Sequence, residues 1–268
     1  MIRGALLGSP VSHSLGPVLH NAAFAYLGIE GKYQAIDVPS GNLQDFLLEE
    51  GDNFDYFSVT MPLKEEVLDL GLKADAHTLK IQSGNTLYKR GSKWNLTSTD
   101  GNGLISALTH FGLTSFNRVL ILGAGGTARA AAGALDLISQ EIHVLGRSSI
   151  RQTGIVKCIT SAQYQFIPWS VDLEFSKYDL VVNATPAGAA DALTKAVRQR
   201  LSGTLFEANY KPWPSAIAER WSNGGGQVIS GLELLLYQGI DALELVLNEK
   251  VERSELASHL RLVLSQSI

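Results

Sequence analysis

Cysteine is nearly absent from this chain: Cys158 is the only one in 268 residues. One thiol cannot close an internal disulfide, and without neighbours it cannot build a zinc site, so a reducing, cytoplasmic compartment and no structural metal are expected. Cys158 itself reads as a small core hydrophobe. Charge of a single sign is also scarce. The 22 Lys and Arg are outnumbered by 26 Asp and Glu, for a net charge of -4, and they are scattered. Such a chain lacks the field that holds a phosphate polymer, and no nucleic-acid partner is expected. No apolar stretch approaches the ~20 residues of a membrane span. The apolar start is cut by Gly8, Ser9 and Pro10 before a signal-peptide core can form. A membrane partner is therefore not expected either. Low-complexity linkers and solenoid-period repeats are missing as well.

What is present is a well-buried composition, 45% hydrophobic and 18% charged, which places the chain in the globular α/β class. At 268 residues it is long for one core, so two domains sharing a cleft are expected. Strand-like runs at 4–7, 33–38 and 56–60 alternate with amphipathic segments at 17–27 and 43–48, which reads as βαβαβ. Pro17 suits the first turn of the first helix, Gly28 its C-terminal stop, and Ser40 the N-cap of the second. Runs at 85–88 and 94–97 around Lys89-Arg90-Gly91-Ser92 predict a hairpin. A helix over 104–111 leads into a second series with strands at 118–122, 142–145, 179–183, 204–208 and 227–229, closed by helices at 232–247 and 254–264. The buried character of 118–122 marks a parallel strand covered on both faces. With no flexible linker, continuous helices are expected to join the domains.

The strand ending at Leu122 runs into Gly123-Ala124-Gly125-Gly126-Thr127-Ala128 and an Ala-rich helix. This strand, turn and helix is the context that a dinucleotide fingerprint requires. Gly123 permits the tight turn, Gly125 lets backbone approach a pyrophosphate, and Ala128 stands where helix and strand pack closely. The helix N-terminus supplies free amides and the positive end of its dipole. The next strand ends in Leu145-Gly146-Arg147-Ser148 with Arg151 close behind and no carboxylate. An acid there would accept from the 2'-hydroxyl of NAD, whereas two guanidiniums and a hydroxyl suit the 2'-phosphate of NADP. The alternative for Arg147 and Arg151 is a pair of solvated surface charges.

In the first half, polar residues gather where strands end. Gly8-Ser9-Pro10-Val11-Ser12-His13-Ser14 with Pro17 and His20-Asn21 comes first, then Val59-Thr60-Met61-Pro62 with Lys64, Asn85-Thr86 and Thr99-Asp100. Together with the turn at 123–128, Asn183-Ala184-Thr185-Pro186 with Gly188, Gly231-Leu232-Glu233 and Tyr237-Gln238, this ordered set resembles the shikimate dehydrogenase family over nearly the whole chain. The resemblance implies an N-terminal α/β substrate domain, an open and mostly parallel sheet over 1–100 completed by C-terminal helices over 231–268, with a Rossmann NADP-binding domain inserted at 101–230. It implies NADP-linked interconversion of 3-dehydroshikimate and shikimate, with Lys64 and Asp100 as the catalytic pair. Ser14, Gly16, Thr60, Asn85, Tyr210 and Gln238 are the implied substrate contacts. On the cofactor side it implies Gly123, Ala124, Gly125, Gly126, Thr127, Gly146, Arg147, Ser148, Arg151, Asn183, Thr185 and Gly231, the last near the nicotinamide. A small-molecule substrate and a monomer or homodimer follow.

The residue types make chemical sense on their own terms. Oxidising a ring alcohol requires a proton to leave oxygen as hydride leaves carbon, and a neutral lysine within hydrogen-bond reach can take it. Read without the resemblance, Lys64 is a solvated charge at a helix start, Asp100 a helix N-cap before Gly101, and Tyr210 and Gln238 polar residues at the core edge. His13 and His20 are rival bases, although His20 falls in an apolar helical pattern that suits a packed core histidine. A folate-linked methylene dehydrogenase is disfavoured because Ser14, Thr60 and Gln238 suit a carboxylated polyol, and an NADP sensor without turnover is disfavoured by Lys64 and Asp100. Four positions depart from the family: Gly16 where a second serine is usual, Ser58 and Ser98 where asparagine is common, and Gln82-Ser83-Gly84 before Asn85. The missing hydroxyl at Gly16 removes a bond to a charged group, about 1.5 to 3 kcal/mol. It also opens space for quinate, which carries an extra hydroxyl on the carbon bearing the carboxylate.

Overall fold

The computed structural model describes residues 1–170, 172–197 and 201–268. The chain divides into two compact units, one of Met1–Gly103 with Leu235–Ile268 and one of Leu104–Leu234.

The first unit alternates β1 (Ile2–Gly8), α1 (Gly16–Tyr26), β2 (Gly31–Asp37), α2 (Leu43–Glu50), β3 (Tyr56–Val59), α3 (Leu63–Glu66), β4 (Lys73–Ala74), α4 (Ala76–Ile81), β5 (Thr86–Arg90) and β6 (Lys93–Thr97). Its six-stranded sheet has the order β2-β1-β3-β5-β6-β4. The βαβ stretches make β2, β1 and β3 parallel, whereas β5 runs antiparallel to both β3 and β6, which follows it through a two-residue hairpin. α1 begins at Gly16-Pro17 and ends before Gly28, whose φ of 65° suits a stop. It buries Leu19, His20, Ala23 and Phe24. The Asn21 side chain ties it to β2, accepting from Tyr33 N and donating to Tyr33 O, each at 2.8 Å. Beneath the sheet Ala5, Leu7, Phe57, Val59, Leu63 and Leu87 form an apolar core, each large side chain contributing about 1.5 to 3 kcal/mol by leaving water.

Two expectations are corrected here. Ser40 does not cap the second helix: its hydroxyl donates to Glu66 Oε2 at 2.7 Å, Gly41 N binds the same carboxylate, and Asn42 holds the cap position. The hairpin turn is shorter than 89–92, because Arg90 pairs with Lys93 and only Gly91 and Ser92 remain between the strands.

From the first unit α5 (Asp100–His110) leads into β7 (Phe116–Leu122), α6 (Gly126–Leu135), β8 (Ser139–Gly146), α7 (Gln152–Val156), β9 (Gln163–Pro168), β10 (Leu180–Asn183), β11 (Thr204–Glu207), α8 (Ala216–Asn223) and β12 (Gln227–Ser230). Then come α9 (Gly231–Leu247) and α10 (Arg253–Ser265). The unit boundaries fall inside α5 and α9. α5 starts four residues before the expected 104. Five parallel pairings give the sheet order β12-β11-β10-β7-β8-β9. This is the doubly wound Rossmann order, whose reversal lies between β7 and β10, where such sheets bind ligands. Leu120, Val181, Leu205, Ile217 and Trp221 anchor its core. Cys158 is buried in this unit.

Candidate active site

In the first unit, β3 ends in a turn stitched to the end of β1, with Thr60 N donating to Leu7 O at 2.8 Å and Ser9 N to Met61 O at 3.1 Å. The turn delivers Lys64 on the first turn of α3. Asp100 opens α5, and Lys64 Nζ meets its Oδ2 at 2.5 Å. The other carboxylate oxygen accepts from Asn85 Nδ2 at 2.8 Å. The Asn85 amide has one possible orientation, because its Oδ1 receives the backbone donor of Thr99 at 2.7 Å. Asp100 is therefore no N-cap: both oxygens are committed to side chains, and Thr99 O accepts the first helical bond from Gly103 N at 2.9 Å. Lys64 keeps 18% of its side chain exposed against 6% for Asp100. The lysine side chain thus keeps part of its surface open while its partner is held within the protein, an arrangement that can pass a proton to or from a bound oxygen.

Gln238 joins the same network. Its Oε1 lies 3.3 Å from Asn85 Nδ2 and 3.4 Å from Thr99 Oγ1, and its Nε2 donates to Leu235 O. What lets it in is Gly103, where a Cβ would sit 2.8 Å from the backbone N of Gln238, so α5 and α9 touch there only because no side chain intervenes. Ser14 and Gly16 are neighbours at the start of α1, with Gly16 N donating to Ser14 Oγ at 3.2 Å. Thr60 is half-buried at the end of β3. His13 is exposed, while His20 is 1% exposed, stacked on Tyr33 at 4.1 Å and bonded through Nδ1 to Tyr56 OH at 3.0 Å. Burial pushes its pKa down to about 3. A histidine sealed among tyrosines is structural, as its helical pattern implied.

In the second unit, Gly123 has φ +106°, and a Cβ on it would lie 3.1 Å from Ala184 O. Gly125 holds the N-cap position of α6 with extended backbone and no side chain, so no side chain of its own caps the helix start. Ala124 is buried, Gly126 and Thr127 are half-buried, and Ala128 is fully buried where α6 meets the sheet. A Cβ on Gly125 would lie 3.8 Å from Arg151 Nη1, so that guanidinium reaches over the turn. Arg147 and Ser148 are exposed just beyond buried Gly146, and no carboxylate ends β8. A helix start without a side-chain cap, two guanidiniums and a hydroxyl fit a dinucleotide with a 2'-phosphate. Asn183 Oδ1 accepts from both Thr185 N (3.2 Å) and Thr185 Oγ1 (2.7 Å), fixing the turn after β10. Tyr210 is half-buried in the segment after β11. Gly231 has a packing reason to be glycine, since a Cβ there would lie 2.2 Å from Ala208 O. A cavity of about 570 Å³ opens beside Arg118, Glu141, His143 and Tyr178. It lies toward the amino-terminal ends of β7 and β8, the opposite end of the sheet from Gly123, so it is not the dinucleotide site.

A family model for the shikimate dehydrogenase substrate binding domain matches residues 6–87. The shikimate dehydrogenase (NADP(+)) of Thermosynechococcus vestitus is 34% identical over 272 residues, spanning 97% of this chain and 94% of the relative. The chain belongs to the shikimate dehydrogenase family. Among solved structures, that of Mycobacterium tuberculosis shikimate dehydrogenase matches with a TM-score of 0.86 at 29% identity over 98% of this chain and 100% of that one. The Thermus thermophilus shikimate 5-dehydrogenase, solved in complex with NADP(H) and shikimate, matches with a TM-score of 0.82 at 28% identity over the same shares of the two chains.

Against the family pattern, Ser58, Ser83 and Ser98 are all buried, and the Ser83 and Ser98 hydroxyls meet no partner among the described residues. Gly16 is buried but not crowded, since a Cβ would find its nearest contact at 3.4 Å, the Ser14 hydroxyl. Residues that sequence reasoning passed over include Gly103, whose only signal was Gly101-Asn102-Gly103 at a helix start, and Glu207, an acid inside an apolar strand run.

Proposed function

We propose that this chain catalyses the NADP-linked, reversible reduction of 3-dehydroshikimate to shikimate in the cytoplasm, with Lys64 as the acid-base group and Asp100 as its partner. The observation that carries this reading is the Lys64–Asp100–Asn85 chain, a part-exposed lysine held by a buried carboxylate that an amide in turn orients. NADP, when bound, supplies the hydride acceptor for oxidation and the donor, as NADPH, for reduction. On oxidation, the substrate hydroxyl proton passes to neutral Lys64; on reduction, protonated Lys64 returns it to the carbonyl oxygen. Asp100 keeps the lysine in place and accepts from a ring hydroxyl. Ser14, Gly16, Thr60, Asn85, Tyr210 and Gln238 are the substrate contacts we assign. Gly123 to Thr127, Gly146 to Ser148, Arg151, Asn183, Thr185 and Gly231 are the cofactor contacts. The relatives named above carry the same activity in their names. An initial-rate matrix of shikimate and quinate against NADP and NAD, followed by nicotinamide absorbance, tests this. Fast turnover is expected with shikimate and NADP; no turnover with either acid would overturn it.

A further inference from the structure

Glu207 ends β11 with none of its surface exposed. An isolated buried carboxylate is costly unless its oxygens are hydrogen-bonded, and no lysine or arginine pairs with this one among the described residues. Four neutral donors do the work instead. Oε2 receives Asn183 Nδ2 at 2.8 Å and Ser215 Oγ at 2.7 Å, and Oε1 receives Asn209 N at 3.1 Å and Asn209 Nδ2 at 3.0 Å.

Those donors come from three residues on two segments. Asn183 ends β10, and its Oδ1 holds Thr185 in the turn that follows. Asn209 begins the segment that carries Tyr210 and donates a second bond to Thr185 O at 2.9 Å. Ser215 ends that segment and caps α8, accepting from Ala218 N at 3.3 Å. One carboxylate therefore pins both ends of residues 209–215 and joins them to the turn at 183–185. That turn is in contact with the glycine-rich loop, since Ala184 O and Thr185 Cγ2 are what a Cβ on Gly123 would meet at 3.1 and 3.4 Å. Gly231 packs on the same ground, against Ala208 and Asn209.

We propose that Glu207 is a positioning residue, which touches neither reactant and acts through Tyr210, Asn183 and Thr185 by fixing the two loops that carry them. This rests on the reading of those three residues as substrate and cofactor contacts. Glutamine at this position keeps the shape but has a single acceptor, so its NH2 must face either the Asn183 and Ser215 pair or the two Asn209 donors. One loop end is then released.

The test is Glu207→Gln, with Ser215→Gly as a second variant that loses one donor while glycine still tolerates the helix cap. In folded Glu207→Gln we expect kcat to fall about ten- to a hundredfold, the scale for reacting groups displaced by an ångström or less, with the KM for shikimate raised. Binding of adenosine 2',5'-bisphosphate, which needs only the Gly125 and Arg147 side of the loop, should stay within about twofold of the parent. Ser215→Gly should show the same pattern more weakly, and it carries the test if the glutamine variant does not fold. Unchanged kcat and KM in either folded variant would overturn the proposal, and so would equal weakening of turnover and bisphosphate binding, the mark of a general structural role. A parent chain without shikimate turnover would overturn the underlying reading as well, whereas an active parent with unaffected variants removes this inference alone.

Discussion

The two units carry their polar residues in opposite ways. In the first, Lys64, Asn85, Thr99, Asp100 and Gln238 come from three helices and a strand end, and they are joined side chain to side chain. In the second, the groups we assign to the cofactor are the backbone at the start of α6, where Gly125 brings no side chain, and the exposed Arg147 and Ser148. A closed network fixes geometry before any ligand arrives, and preorganised groups act on the barrier. Exposed charges on a shaped backbone act on affinity. Substitutions in the first unit should therefore fall on kcat, and those at Arg147 on cofactor binding.

The strongest break of that contrast is Lys64→Ala. Proton transfer contributes about 10²- to 10⁴-fold, so kcat should fall by that factor while shikimate binding stays comparatively intact. Stopped-flow turnover beside equilibrium binding checks it, and near-native kcat would remove Lys64 as the acid-base group. Arg147→Ala is the counterpart in the other unit. It should weaken NADP by about 2 kcal/mol through the lost charge-assisted bonds and leave NAD nearly unaffected, because NAD lacks the phosphate. Calorimetric titration with both dinucleotides decides it, and equal weakening would show that Arg147 does not read the phosphate.

The contrast also explains what the sequence could disclose. The second unit was legible because its signals are local: Gly123 and Gly125 have backbone roles read from three adjacent positions, and the strands are marked by short apolar runs such as 119–122 in β7 and Leu205-Phe206 in β11. In the first unit the motif residues were legible by resemblance, but their connections were not. Asn85 and Gln238 are 153 positions apart, and nothing in either neighbourhood announces Gly103 as the gap that lets them meet. Short elements escaped for a similar reason. β4 is two residues long and is held only by β6, so it has no period of its own to read. Glu66 captured Ser40 from a distance of 26 positions, and a local capping rule cannot anticipate a remote carboxylate.

His20 sharpens the comparison from the stability side, because it supports the first unit without serving its chemistry. Its pKa falls from 6.5 to about 3 on burial. Below pH 6.5 the unfolded chain therefore takes up a proton that the folded chain refuses. Its contribution is fully present above that value and is lost as the pH falls toward about 3, at a slope approaching ~1.4 kcal/mol per pH unit. His20→Asn keeps a partner near the Nδ1 position for Tyr56 OH while removing the titration. Chemical denaturation at a series of pH values should show the acid-side slope reduced by that amount in the variant. An identical slope in both proteins would mean that His20 is protonated in the folded state.

The smallest effect is expected at Gly16, where the first unit's polar surface has room left. A Cβ there would rest 3.4 Å from Ser14 Oγ and 3.8 Å from Leu6 and Tyr33 carbons, ordinary contacts that displace nothing. Gly16→Ser therefore adds a hydroxyl beside Ser14 without moving α1. If Ser14 holds the substrate carboxylate, the new hydroxyl gives shikimate a second bond, for a gain of about 1 kcal/mol after the displaced water and the fixed rotamer are counted. The same group takes up the space that the extra hydroxyl of quinate would need. Shikimate should gain and quinate should lose, read as kcat/KM for each acid in parent and variant. A ratio that does not move would mean that residue 16 faces away from the ring and that the first unit's polar surface ends at Ser14.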